Sequence, residues 1–307
     1  MRAVSARLTE AERLVALTEV NLDDLVEALG IAQQPLWADA ARRMGRARAR
    51  AFAQRVLAMD GAVGELGLAE GSAWGLGALS TTLTVVNRAG VPNHGPLLFV
   101  ANHPGMTDTI ALFAAIGRAD LRTIAAHRAF LALLPNLSAP LIWVDDVAMG
   151  SPGALRTAVH HLRAGGALLT FPGGQIEPDP AVLSGLADAL SKWNRSLDLL
   201  VRLAPAVHIV PVLVSGVISA QAARSPLRNL RRSRAGRDHL SAMLQLGIPA
   251  WRAVSAEVRF GPPLPAAALA HDGISSPATT AAIEMMRTLL AQRDVALAQS
   301  ARCAPVT

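Results

Sequence analysis

Seven residues, Asn102-His103-Pro104-Gly105-Met106-Thr107-Asp108, set an imidazole and a carboxylate five positions apart between two apolar runs, 97–101 and 110–113. A short apolar run bounded by Gly and Pro predicts a buried strand, and Thr107 or Asp108 suits the N-cap of a following helix. His103 then stands just off a strand end and Asp108 where a helix begins. Pro104 and Gly105 let the chain fold back between them. A carboxylate beside an imidazole fixes its tautomer and raises its basicity, the arrangement of a general-base pair.

These two residues need a scaffold, and the chain supplies alternating strands and helices. Thr9-x-x-Glu12 is a capping box ahead of a first helix. Asn21 is a cap for a second helix that Gly30 stops. A third, from about 37 to 59, interleaves six arginines with Met44, Phe52, Val56 and Leu57; it suits either a membrane surface or a solvated face. The glycine-rich stretch 61–78 reads as a connection, with Trp74 as interfacial anchor or core residue. Strands are expected at 82–86, 97–101, 121–126, 141–144, 167–171, 207–214 and 254–260, with helices at 110–117, 151–163 and 279–295. This alternation predicts an α/β fold, a mixed central sheet flanked by helices, with residues 1–80 as an N-terminal helical region and 81–307 as the α/β domain.

Composition limits the partners. Half of the 307 residues are hydrophobic (51%), 17% are charged, and the net charge is +6. Mean hydropathy is +0.33. Lys192 is the only lysine, so arginine carries the positive charge. A basic, apolar chain fits an anionic membrane surface or an acidic substrate. With no Tyr and no interleaving of aromatic and basic residues, a nucleic-acid stacking platform is not expected. The longest uncharged stretch, 203–223, is interrupted by Pro205, Pro211 and Gly216, which argues for strands and turns over a transmembrane helix. The first residues show no continuous apolar signal core. A single Cys303 fits a reducing compartment. His160 and His161 are adjacent on a helix and face apart, and no His or Cys pair has ligand spacing, so no metal is expected. Arginines 224, 228, 231, 232, 234 and 237 form the densest charge cluster, either a solvated face or a headgroup patch.

The heptad resembles the Asn-His-x4-Asp signature of the glycerolipid (lysophosphatidic-acid type) acyltransferase family, and the downstream order is similar. A second block, an apolar strand ending in Arg, is matched by residues 141–144, with Asp145-Asp146 where the Arg is expected. A third, Phe-Pro-Glu-Gly-Thr-Arg, is matched by Phe171-Pro172-Gly173-Gly174-Gln175-Ile176, with Gly173 for Glu, Gln175 for Thr and Ile176 for Arg. A fourth, an apolar strand with a central Pro, is matched by Ile209-Val210-Pro211-Val212. The pattern looks closest to a bacterial branch of the family.

The resemblance implies a glycerol-phosphate acyltransferase-like fold and transfer of a fatty acyl group from a thioester to a lipid or polar acceptor. His103 would be the base and Asp108 its orienter. Acyl-CoA or acyl carrier protein would be the donor, with no further cofactor. Asn102, Gly105, Arg128, Phe171, Pro172, Gly173, Gly174, Gln175 and Glu177 would be the substrate-contacting set. The amides of Gly173-Gly174 would serve the oxyanion, and Glu177 and Asp179 the acceptor's hydroxyl or ammonium groups. A peripheral place on the cytoplasmic face of the membrane follows. The alternatives are a thioester or ester hydrolase and an inactive lipid-binding protein.

Overall fold

The structure, a computed structural model, describes residues 8–144, 152–269 and 276–303. Three helices come first: α1 (Glu10–Leu29), α2 (Pro35–Leu66) and α3 (Leu68–Ala78). The Thr9–Glu12 capping box closes α1 at its start, and Gly30, at φ +75°, ends it. Asn21 caps nothing: α1 runs straight through it, and its side chain donates to the Ala49 carbonyl of α2. The expected connection at 61–78 is also helical. Gly71 and Gly75 serve packing, since a Cβ on Gly71 would lie 2.4 Å from the Val63 Cα and one on Gly75 2.3 Å from the Met59 sulfur. Buried Asp60 fastens α2 to the main body by accepting the amides of Asn136 and Leu137 at 3.0 and 2.9 Å.

The main body is an eight-stranded mixed sheet. Its strands are β1 (Thr81–Val86), β2 (Leu97–Ala101), β3 (Arg122–Ala126), β4 (Leu141–Val144), β5 (Ala167–Thr170), β6 (His208–Ser215), β7 (Val254–Phe260) and β8 (Leu264–Pro265). The order is β1-β7-β6-β2-β5-β3-β4, with β8 paired to β6. From β6 to β4 the neighbours run parallel; β7 is antiparallel to β6 and parallel to β1.

Alternation along the strands builds two apolar layers. Leu97, Phe99 and Ala101 of β2 face one core with Leu169, Val210 and Val212, beneath α2 and α4 (Asp108–Ile116). Leu98 and Val100 face the other with Leu168, Ile209 and Leu213, against α5 (Pro152–Arg163), α6 (Ser196–Leu203) and α8 (Pro277–Cys303). Fully buried, two-sided strands read as continuous apolar runs, which is why they were legible. Helix α7 (Arg234–Gly247) packs against α1. Because β2, β5, β3 and β6 are parallel, the loops leaving their C-terminal ends meet at one edge of the sheet. That edge carries the 102–108 and 171–179 loops.

Candidate active site

Asn102 ends β2 in a clasp. Its buried amide donates to the Val214 carbonyl at 2.9 Å and accepts the Val214 N–H at 2.8 Å. A side chain thus continues the β2–β6 pairing one step past the strand and fixes where the next residue leaves the sheet. Asn102 is fully buried, and its side chain, expected to contact substrate, is committed to the sheet.

His103 follows. Its Nδ1 lies 2.7 Å from Asp108 Oδ2. Asp108 is fully buried at the first turn of α4, and the Gly105 amide donates to the same oxygen at 3.0 Å. Gly105 is therefore a support for the carboxylate, and a Cβ there would sit 3.0 Å from Ile218 Cδ1. With Nδ1–H donating to Asp108, the neutral ring keeps its lone pair on Nε2. Among the described residues no hydrogen bond engages Nε2, and the side chain is 28% exposed. Burial works against the imidazolium, but the charge and hydrogen bond of Asp108, aided by Glu177, outweigh it, and the His103 pKa is raised. The Phe171 ring, half-buried, borders the imidazole at 4.8 Å between centroids.

The 171–179 loop divides into lining and frame. Pro172 is buried, and its carbonyl accepts both the backbone and the side-chain amide of Asn194. Gly174, at φ +65°, closes a turn by donating to the Phe171 carbonyl at 3.1 Å, so its amide does not serve an oxyanion. Gln175 is exposed and Ile176 packs on the core. Glu177 is buried. Its Oε2 accepts the His103 N–H at 3.0 Å and its Oε1 accepts Trp193 Nε1–H at 2.8 Å, and burial raises its pKa despite these bonds. Asp179 is fully buried too, accepting the amides of Ala181, Gly216 and Ile218 at 2.8 to 2.9 Å, and burial raises its pKa likewise. Both carboxylates, expected to meet the acceptor, are turned into the protein, because a buried acid needs N–H partners and here the loop backbone and an indole supply them. Trp193 and Asn194 were not anticipated. Their one signal is chemical: a buried indole N–H needs an acceptor.

Arg128 is exposed beyond the end of β3, and its charge bears on Asp24 of α1 and His239 of α7. Several arginines of the 224–237 run are engaged within the protein. Arg228 pairs with Asp238 at 2.6 Å, Arg231 donates to the Glu27 carbonyl at 3.2 Å, Arg237 to the Arg232 carbonyl at 2.9 Å, and Arg234 to the Ser184 carbonyl. Asp145 and Asp146 lie outside the described residues. Among the described residues no group of His, Cys, Asp and Glu could hold a metal ion.

The imidazole and carboxylate at the end of β2, the loop at the end of β5 and the strand β6 all fall within residues 82–215, which a model of the acyltransferase family matches. The chain carries an acyltransferase domain. The matched segment runs from β1 to the last residue of β6 and holds His103, Asp108, Glu177 and Asp179, while α1 to α3 precede it. The chain is similar to the crystal structure of a 1-acyl-sn-glycerophosphate (LPA) acyltransferase, PlsC, from Thermotoga maritima. The two are 14% identical, with all of both chains covered and a TM-score of 0.42. No curated protein matches the chain.

Proposed function

We propose that the acyltransferase domain moves a fatty acyl group from a thioester, acyl-CoA or acyl carrier protein, to a hydroxyl or amine of a lipid acceptor, with His103 as general base. The observation that carries this is the 2.7 Å contact between His103 Nδ1 and Asp108 Oδ2, which leaves Nε2 as the ring's proton acceptor. Nε2 takes the acceptor's proton as its oxygen or nitrogen attacks the thioester carbon. Asp108 holds the tautomer and stabilises the imidazolium. Collapse of the tetrahedral intermediate breaks the C–S bond, and the same proton passes from Nε2 to the departing thiolate. The Gly173 amide is the remaining backbone donor of its turn for the oxyanion. The test is purified His103→Ala with labelled acyl-CoA and a lysolipid: acyl transfer is abolished, and near wild-type thioester consumption would end the proposal. Thioester loss without an acceptor would favour a hydrolase.

The acceptor is a lipid, so the domain works at a membrane surface, and we place it on the cytoplasmic leaflet, whose anionic lipids attract basic proteins. Among the described residues no helix is long and apolar enough to cross a membrane. The support for surface binding is the outer face of α2, where Leu36, Trp37 and Met44 are 86%, 68% and 80% exposed. At about 100° per residue these three share a stripe with Ala40 and Ala47, flanked by Arg43 and Arg50 on one side and Arg48 on the other. An apolar stripe edged with cations suits an interfacial helix. With much of the 224–237 run engaged internally, α2 carries most of the attraction. The protein sediments with anionic vesicles at low salt and is partly released at high salt. Replacing Leu36, Trp37 and Met44 together with Ala weakens binding about tenfold or more, from the apolar area withdrawn. Equal binding to neutral vesicles would contradict the electrostatic part, and an unaffected triple variant the stripe.

A further inference from the structure

We propose that Glu177 is a positioning residue for His103, and that position 173 is glycine because the Glu177 carboxylate fills the space a side chain there would take. Glu177 holds both main-chain polar groups of His103. Its N–H donates to the His103 carbonyl at 2.8 Å, and its Oε2 accepts the His103 N–H at 3.0 Å. The second oxygen is fixed by the Trp193 indole at 2.8 Å. Seventy-four positions of chain separate Glu177 from His103, so the clamp joins the loop after β2 to the loop after β5. It fixes the backbone from which the imidazole projects, while Asp108 fixes the ring.

The adjoining glycines separate the causes. Gly174 adopts φ +65°, which a side chain tolerates poorly; Gly173 is not among the glycines with positive φ. Backbone conformation therefore does not demand glycine at 173, and space does. A Cβ there would lie 2.8 Å from Glu177 Cδ and 2.9 Å from Oε1. The third block resembles a pattern with an acidic residue at this place, and here the acid is delivered from four positions downstream into the adjoining space. Both changes belong together: an acid at 173 and an acid at 177 cannot occupy the same volume.

The significance for catalysis rests on His103 being the base, so the experiment reads the clamp separately from turnover. The variants are Glu177→Gln, which keeps the volume and one acceptor oxygen, Gly173→Ala, and the exchange Gly173→Glu with Glu177→Ala. The readouts are the NMR titration of the His103 imidazole (assigned by its loss in His103→Ala), the Trp193 indole N–H resonance, and kcat and KM for acyl-CoA consumption. The charged groups facing the ring are Asp108 and Glu177. Removing one anion lowers the His103 midpoint in Glu177→Gln, and kcat falls about tenfold to a hundredfold with KM little changed, as for a misplaced catalytic group. Gly173→Ala moves the Trp193 resonance and lowers kcat. The exchange restores the midpoint and part of kcat relative to Glu177→Ala. An unmoved His103 midpoint in Glu177→Gln overturns the proposal, as does an exchange no better than Glu177→Ala. Retained turnover in His103→Ala would instead overturn the proposed function and leave the titration result standing.

Discussion

The two ends of the sheet are closed by opposite charges. At the end that carries His103, three buried carboxylates, Asp108, Glu177 and Asp179, gather backbone N–H groups from the loops after β2, β5 and β6. At the other end arginines gather carbonyls. Arg118 donates to Gly95 and Gly165, just before β2 and β5, and Arg88 to Val91 and Ile116. Both devices satisfy loop backbone that would otherwise be buried without partners. They differ in what they leave behind. Among the groups facing His103 the anions come from the protein, so the imidazole is where positive charge is stabilised. Arg293, buried there, is bound to Ser215, the Pro180 carbonyl and Asp294. One end is thus built to hold a proton on a ring, the other to hold loops still.

The largest effect comes from dismantling the first. His103→Ala loses about 10²–10⁴ in rate, the usual contribution of a positioned base. Asp108→Asn loses roughly 10²-fold within that range and changes the pH profile. In the wild type the rate rises with pH as His103 sheds its proton, with a midpoint above the ordinary 6.5 because the pKa is raised. Without the aspartate charge burial dominates, and the midpoint falls. Stability follows the same group. A raised folded pKa gives a contribution fully present below about pH 6.5 and lost as pH rises through the folded midpoint. Asp108→Asn flattens that slope in chemical denaturation measured from pH 5 to 9; an unchanged midpoint and slope would separate Asp108 from the imidazole.

The far end answers differently. Arg118 is buried, bonded twice to Asp120 at 2.7 Å and to two carbonyls at 3.2 Å. Arg118→Leu leaves those carbonyls unpaired and costs about 1.5–3 kcal/mol, the range for hydrogen bonds to a charged group. Melting temperature drops by several degrees while the pH midpoint of the surviving activity stays put. A shifted midpoint would show that the two ends communicate.

How much of this was legible follows from the range of each interaction. Strands β1 to β7 are legible within a residue or two because their apolar runs are local, whereas the two-residue β8 carries no such run. The His103–Asp108 pair was read because five residues and a turn suffice to form it. The 61–78 stretch reads as a loop because glycine at 64, 71 and 75 looks like one, when the reason for it is close packing of α3 on α2 at Val63 and Met59 and of α2 on Asn136. Asn102, Glu177 and Asp179 read as substrate contacts in the sequence because a polar residue beside a motif shows its chemistry and not its partner, and Val214, His103, Gly216 and Ile218, which they bind, lie 37 to 112 positions away. The 224–237 arginines were visible as charge, but which of them are engaged depends on Asp238, Ser184 and Glu27.

The smallest predicted effect concerns the acceptor's own charge, and it follows from where the arginines went. A phosphomonoester on the acceptor needs cations at the His103 end. The third block offers Ile176 where the resembling pattern has Arg, and Ile176 packs on the core. Arg118 and Arg122 do not compensate. Arg118 sits at the far end, and Arg122 opens β3 there and donates to the Ala139 carbonyl at 2.9 Å. Arg128, just past the other end of β3, is on the correct side, but its charge is shared with Asp24. The three anions behind His103 oppose a further dianion. We therefore expect acceptors without a phosphomonoester, neutral or zwitterionic, to be preferred. The margin is about tenfold, the equivalent of roughly 1.4 kcal/mol and less than one full charge-assisted contact. Purified enzyme is given labelled acyl-CoA with lysophosphatidic acid and lysophosphatidylcholine in competition, at equal surface concentration in neutral vesicles. Preference for lysophosphatidic acid would refute the expectation. If Arg128→Ala then abolished that preference, Arg128 would be shown to supply the positive charge that a phosphomonoester needs.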